Sequence, residues 1–196
     1  MNRTGSVSRQ TSETDVHVTL NLDGTGVSAI STGIGFFDHM LTHVSKHGLI
    51  DLQVQAQGDL HVDFHHTVED VGLALGEAFR SALGDKKGIR RYGYASVPMD
   101  EALASVALDL SGRPYLVYTN PLADRSAGAF ALDLVTVFLQ AMADRGGITL
   151  HATVHTAENP HHAAEAIFKA LGRALREAVE FDSRATGIPS TKGVLE

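Results

Sequence analysis

The chain has no cysteine among its 196 residues, which excludes a disulfide framework, a thiolate zinc site and a cysteine nucleophile. It also has no apolar run of 18 residues or more, so no transmembrane helix is expected. The opening stretch MNRTGSVSRQTSETD lacks the apolar core of a signal peptide, and a cytoplasmic protein is the expectation. Basic side chains are the minority, 16 against 23 acidic ones, for a net charge of −7. Nonspecific binding to nucleic acid or to an anionic membrane needs a clustered cationic footprint, so neither partner is expected.

What is present is ordinary for a globular chain, 43% hydrophobic and 20% charged, with one exception. There are 11 histidines, and they do not form a terminal tag. They fall as His39, His43 and His47, then His61, His65 and His66, then His151, His155, His161 and His162, with His17 alone. Imidazoles clustered near carboxylates are the ligand chemistry of metal sites.

Hydrophobic periodicity shows one order of elements twice. The first half reads as strands over 16–22 and 27–31 around a turn at Asp23–Gly26, a helix over 36–48 ending at Gly48, a strand over 49–57 and an amphipathic helix over 66–84. The second half reads as strands over 101–110 and 115–119, a helix over 130–147, a strand over 148–154 and a helix over 161–180. The long helices start alike, His65-His66-Thr67-Val68-Glu69 against His161-His162-Ala163-Ala164-Glu165, at an offset of 96 residues. The expected fold is therefore α+β, with duplicated ββαβα halves, each a mixed sheet packed on helices. Residues 1–92 form the first half and 93–196 the second, in one compact unit. The polar ends, 1–12 and 182–196, are expected to be loose.

The repeated HHxxE carries the chemistry. His65 and Glu69 share one helix face at i, i+4, as do His161 and Glu165. His66 and His162 are turned about 100° further round their helices and do not readily join their neighbours on one ion. Each helix then serves two sites, and His/carboxylate donors suit Mn, Fe, Co, Ni or Zn over Ca or Mg. The bland reading of one such helix start is a solvated N-terminus whose Glu complements the dipole; its repetition favours metal. His39, His43 and His47 form one helical stripe, in which His39 beside Asp38 reads as a further ligand and the other two as pocket-shaping. No dinucleotide or P-loop fingerprint is present, and no Ser-His-Asp order. Ser190-Thr191-Lys192-Gly193 reads as either an anion cradle or a frayed tail, with Arg90, Arg91 and Arg113 as further phosphate candidates. Glu13 reads as a general acid or base, or as a surface residue on a loose arm.

Six segments together resemble the imidazoleglycerol-phosphate dehydratase family of histidine biosynthesis, from about residue 8 to the C-terminus. They are TSETDVHVTLNLDGTG, STGIGFFDHMLTHVSKHGLIDL, DFHHTVED at 63–70, DEALASVALDLSGRP, HHAAEAIFKALGRALREA and IPSTKGVL. The resemblance implies a hydro-lyase that converts imidazoleglycerol phosphate to imidazole acetol phosphate with two Mn(II) per subunit. It also implies self-association into a 24-subunit shell with sites between subunits. Carried over by position, one ion takes His39, His66, His161 and Glu165, and the other takes His65, Glu69 and His162. Glu13, His39, His47, His65, Arg91, Arg113, His161, Lys169, Ser190, Thr191 and Lys192 fall on substrate-binding positions, with Glu13, His47 and Glu165 as the catalytic set. Such chemistry needs a metal acting as Lewis acid and template, because the carbon-bound proton is not acidic otherwise. The chain departs from the family pattern at two positions: Val137 replaces a fourth histidine ligand of the second ion, and His43 replaces the usual Gln. The alternative reading is a paralogue with impaired or no turnover that binds metal or ligand and keeps the shell.

Overall fold

Val16, Val18 and Leu20 are buried on one side of β2 (Thr14–Asn21), while the residues between them face outwards. This alternation is the mark of a strand with one face on a core. In the computed structural model, which describes residues 3–195, β2 joins β1 (Thr4–Gln10), β3 (Ser28–Ser31) and β4 (Asp51–Gly58) in a sheet of order β1-β2-β4-β3. β3 runs parallel to β4 with Ser28 opposite Leu52, and the other pairings are antiparallel. The chain continues through α1 (Gly35–Gly48) between β3 and β4, and α2 (His65–Leu83) after β4.

The second half repeats this plan. β5 (Tyr92–Met99), β6 (Ala102–Asp109), β7 (Tyr115–Thr119) and β10 (Thr149–Thr156) form a sheet of order β5-β6-β10-β7, again with one parallel pair, β7 on β10. α3 (Asp133–Gly146) precedes β10 and α4 (Pro160–Val179) follows it. The duplicated α+β fold is thus present, and each four-stranded sheet carries one strand more than the periodicity suggested. β1 is almost wholly polar and β5 contains Gly93 and Pro98, so neither shows a strong apolar alternation. Residues 4–10, expected to be loose, are instead an edge strand in full register with β2. The tail is docked as well, where Asp182 N–H donates to Gly88 O and Gly88 N–H donates to Gly187 O.

Glycine explains how these edge strands lie so close to their helices. A Cβ at Gly5 would stand 2.0 Å from the Ala78 carbonyl oxygen, and one at Gly93 would stand 1.9 Å from that of Ala174. Any larger residue would lift the strand off α2 or α4.

The helices lie between the sheets with their pairing crossed. α2 packs on the first sheet and α4 on the second, while α1 packs on α4 and α3 on α2. Each half therefore lends its shorter helix to the longer helix of the other half. Gly48 ends α1 as expected, yet the left-handed residue at that end is Leu49, with φ 51°. Gly48 itself faces α4, where a Cβ would lie 3.2 Å from the Gly172 oxygen. α3 starts three residues later than expected, because Phe130–Ala131 (β9) pairs with Ser126–Ala127 (β8) in a small hairpin. Among the described residues no helix is long and apolar enough to cross a membrane.

Candidate active site

The crossed pairing of α1 and α4 brings two histidine-bearing faces together. His39 and His43, one turn apart on α1, meet His161 and Glu165, one turn apart on α4. His43 Nε2 lies 3.2 Å from His39 Nε2. Glu165 Oε2 lies 3.1 Å from His161 Nε2 and 3.4 Å from His39 Nε2, while Oε1 lies 3.5 Å from His43 Nε2. Lys169, the next turn of α4, places Nζ 2.6 Å from Oε1. Ligand atoms of His39, His43 and Glu165 all lie within 4.8 Å of one another, the one such set of three or more among the described residues. His43, read from sequence as pocket-shaping, belongs to the cluster itself.

Local packing fixes these side chains. Asn159 caps α4 by accepting the His161 N–H at 2.9 Å, and Pro160 starts the helix. Asp38 accepts from the backbone and hydroxyl of Thr32 at the start of α1. The Phe36 ring meets His161 edge-on with centroids 5.1 Å apart, and Phe130 of β9 packs behind Phe36 at 5.1 Å.

Burial pushes the His43 imidazole down to about 4, and the neighbouring His39 and Lys169 add to this against the pull of Glu165. His43 is neutral at pH 7, which is the form that can ligate. Burial alone would raise Glu165, but the Lys169 hydrogen bond and the His43 imidazole outweigh it and hold the carboxyl at about 2. His47, one turn beyond His43, is also lowered, by burial and then by Lys169 and Arg173.

A second group forms at the start of α2. His66 Nδ1 lies 3.0 Å from Asp59 Oδ2 and 3.7 Å from Glu13 Oε2. The hydrogen bond to Asp59 raises the pKa of His66. Glu13 sits on the β1–β2 turn and is not on a loose arm; its carbonyl accepts the Asp59 N–H at 3.1 Å. His65 lines a separate cavity of about 320 Å³ with Asp63 and Asp133. Glu69 is exposed, and no hydrogen bond or ion pair joins it to His65 among the described residues.

His162 heads a third group, with Nδ1 2.7 Å from Glu101 Oε2 on the β5–β6 turn. That hydrogen bond raises His162 and holds Glu101 at about 2. His66 and His162 therefore share a device: a carboxylate on Nδ1 orients the ring and leaves Nε2 outward. Sequence reasoning missed Asp59 and Glu101, because each comes from a turn whose position no periodicity reveals.

The phosphate candidates converge elsewhere. Arg91, Arg113, Ser190, Thr191 and Lys192 line one cavity of about 600 Å³ with Tyr92 and Pro189. Arg91 forks onto Asp109 at 2.7 and 2.9 Å and donates through Nη1 to Pro189 O at 2.8 Å, which ties the tail to the sheet. Arg90 lies outside this cavity and pairs with Glu177 at 3.4 Å.

One chain thus brings together most of the first carried-over ligand set and none of the second. His39, His161 and Glu165 come together, while His66 stands with Asp59. Of the second set, His65 and Glu69 are on α2 and His162 is on α4. Val137 lies on α3, half-buried against the core.

Comparison with known proteins gives one consistent result. A family profile described as imidazoleglycerol-phosphate dehydratase matches residues 32–175. The chain is 58% identical to the imidazoleglycerol-phosphate dehydratase of Acidiphilium cryptum over 196 residues, covering 100% of both chains. It is 58% identical to that of Clostridium botulinum over 189 residues, 96% of each. Among solved structures, the Staphylococcus aureus imidazoleglycerol-phosphate dehydratase superposes with a TM-score of 0.82 at 37% identity, covering 91% of this chain and 99% of that one. The Pyrococcus furiosus protein gives 0.83 at 37% identity, covering 96% and 100%.

Proposed function

The chain belongs to the imidazoleglycerol-phosphate dehydratase family of hydro-lyases, and from that premise we propose how its own residues act. It removes water from imidazoleglycerol phosphate to give imidazole acetol phosphate, in the cytoplasm, with Mn(II) as cofactor and two ions per subunit. The observation that carries this reading is the convergence of His39, His161 and Glu165 between α1 and α4. Neutral imidazoles with a carboxylate are a donor set that fits Mn(II).

A metal held by these residues would stabilise the substrate's imidazole ring as an anion, which would favour loss of hydroxide from the carbon attached to the ring. Glu165, ionised throughout the neutral range, serves as a ligand. Lys169 holds Oε1, on the side of His43, and leaves Oε2 turned to His39 and His161. Glu13, beside His66, is placed to take the carbon-bound proton, and His47 is the second proton-handling group. Hydroxide departs from the ring-bearing carbon and is protonated to water, the proton on the next carbon goes to a base, and the enol so formed becomes the ketone. Arg113, Ser190, Thr191 and Lys192 bind the phosphate, with Arg91 pinning the tail segment that presents them.

The second site draws on His65, Glu69 and His162. Because these residues and His66 stand apart from the α1–α4 cluster, the sites are completed between copies, which supports self-association into a shell.

The test is turnover of imidazoleglycerol phosphate by the assembled protein with added Mn(II), followed by mass spectrometry, beside metal content per chain. Imidazole acetol phosphate with two ions per chain is expected. No product at saturating Mn(II) overturns the reading.

A further inference from the structure

Lys86 is a buried cation far from the histidine clusters in sequence and function. It follows α2 in the turn at 84–88, 8% exposed and with a left-handed backbone at φ 59°. Among the described residues its ammonium finds one acceptor, the Leu110 carbonyl oxygen at 3.0 Å. Burying an ammonium is costly, and a methionine would fill the same space without that cost. What lysine adds here is a fixed hydrogen-bond donor.

Leu110 stands between Asp109, which holds the Arg91 fork, and the turn that carries Arg113. Its N–H donates to Arg91 O at 3.1 Å, so with Lys86 on its carbonyl both of its backbone groups are tied to segment 86–91. The same segment reaches the tail: Gly88 N–H donates to Gly187 O at 3.0 Å, and Arg91 Nη1 donates to Pro189 O at 2.8 Å. It therefore joins two walls of the cavity of about 600 Å³, Arg113 on one and Ser190, Thr191 and Lys192 on the other. Arg91 is left-handed as well, at φ 73°. Non-glycine residues in that region are strained, persist where their surroundings over-determine them, and cluster at ligand sites.

We infer that Lys86 is a positioning residue for this cavity, setting the Arg113 turn against the tail through its hold on Leu110 O. The inference rests on the reading that the cavity takes the substrate's phosphate, and adds to it a residue that does not itself line the cavity. The competing account is that Lys86 only closes the core at the end of α2.

The experiment uses the full-length assembled protein with Mn(II). Steady-state kinetics on imidazoleglycerol phosphate are read beside calorimetric titration with inorganic phosphate. Lys86→Met should raise KM and the phosphate Kd together, by roughly tenfold, with kcat within about twofold of wild type. Lys86→Gln, polar but shorter in reach, should show the same rise and carries the test if the Met variant does not fold. Lys87→Met, at the exposed neighbour paired with Asp85, should match the wild type. In an Arg113→Gln background the effect of Lys86→Met on phosphate binding should shrink, because part of it passes through Arg113. Wild-type KM and phosphate Kd in Lys86→Met and Lys86→Gln, whatever their melting temperatures, would overturn the role of Lys86 and leave the proposed function standing. Full additivity with Arg113→Gln would overturn it too. Absence of turnover in the wild type would overturn the proposed function, while the phosphate titrations would still decide on Lys86.

Discussion

The helix pairs α1/α4 and α2/α3 are built alike and loaded differently. Gly172 of α4 corresponds to Gly76 of α2, and Gly48 of α1 to Gly146 of α3. A Cβ at Gly172 would lie 2.8 Å from Val44 O and 3.0 Å from Gly48 N; one at Gly76 would lie 2.5 Å from Met142 O and 2.9 Å from Gly146 N. The same glycine-on-glycine crossing therefore occurs twice. Around it, His39 corresponds to Val137, His43 to Ala141 and Lys169 to Leu73. Only the HHxxE start of the long helix is common to both, and with it the pairs His161/Glu165 and His65/Glu69. In the first pair these two side chains are 3.1 Å apart and Glu165 is buried; in the second no ion pair or hydrogen bond joins them among the described residues, and Glu69 is exposed. The crossing is thus set by backbone packing, which tolerates either load, while the polar cluster needs partners that only one pair supplies.

The largest break in this comparison is expected at the shared glutamate. Glu165→Gln removes the anion from among three imidazoles and the largely buried Lys169, and leaving a buried charge unpaired costs about 3 kcal/mol or more. Metal content should fall by one ion per chain and activity with it. Glu69→Gln, at an exposed position, should shift stability within about 0.5 kcal/mol. Equal thermal shifts in the two variants would mean that the clusters are not distinct.

Next in size is the crossing itself. Gly172→Ala and Gly76→Ala each force a Cβ into backbone, at about 1–3 kcal/mol. Melting temperatures should fall by similar amounts. Calorimetric titration with Mn(II) should weaken only in Gly172→Ala at the α1–α4 cluster, because that crossing carries its donors. Similar losses at that cluster in both variants would dissolve the distinction.

How much of this asymmetry the sequence reveals depends on the element. The long helices and the central strands β2, β4, β6 and β10 announce themselves through period-3.6 and period-2 apolar patterns. β1 does not, because an edge strand with Gly5 and a half-buried Val7 facing inward has no such pattern. The repeated HHxxE and the gap at Val137 are visible as residues. That α1 meets α4, and not the helix of its own half, is invisible, since periodicity defines a buried face without naming what covers it. His43 went unrecognised as part of the cluster for this reason, as did the Asp59 and Glu101 carboxylates that orient His66 and His162.

A smaller effect is expected from making α3 resemble α1. Val137→His places an imidazole where His39 stands in the other pair, adding a neutral donor beside the His65/Glu69 face. Three protein ligands already suffice for an open site, so the gain is one of affinity. The second equivalent of Mn(II) should bind roughly tenfold more tightly, and activity at low Mn(II) should rise. Two equally tight sites in the wild type, unchanged by the substitution, would show that the difference between the pairs does not reach the metal.

The smallest difference lies in the turns below the sheets. In the first half Asp51, opposite Asn21, accepts backbone N–H groups from Thr25 at 2.8 Å and Val27 at 3.0 Å. At the corresponding place in the second half Thr149, opposite Asp109, donates to Arg113 O at 2.9 Å, and Ser111 Oγ accepts the Arg113 N–H at 3.2 Å. A carboxylate holds one turn and hydroxyls hold the other, so only the first titrates. The hydrogen bonds from Val27 and Thr25 hold Asp51 below its ordinary 3.8. A group whose folded pKa is depressed contributes stability that is fully present above its unfolded value and is lost as pH falls through the folded one. Protection of residues 23–27 should therefore drop as pH is lowered below about 4, while that of 111–115 stays level. Hydrogen–deuterium exchange, corrected for the intrinsic rate at each pH, reads both turns in one sample. Asp51→Asn should remove the pH dependence from the first turn. A matching loss of protection in both turns of the wild type would point to general acid unfolding, and the two turns would then be alike in this respect.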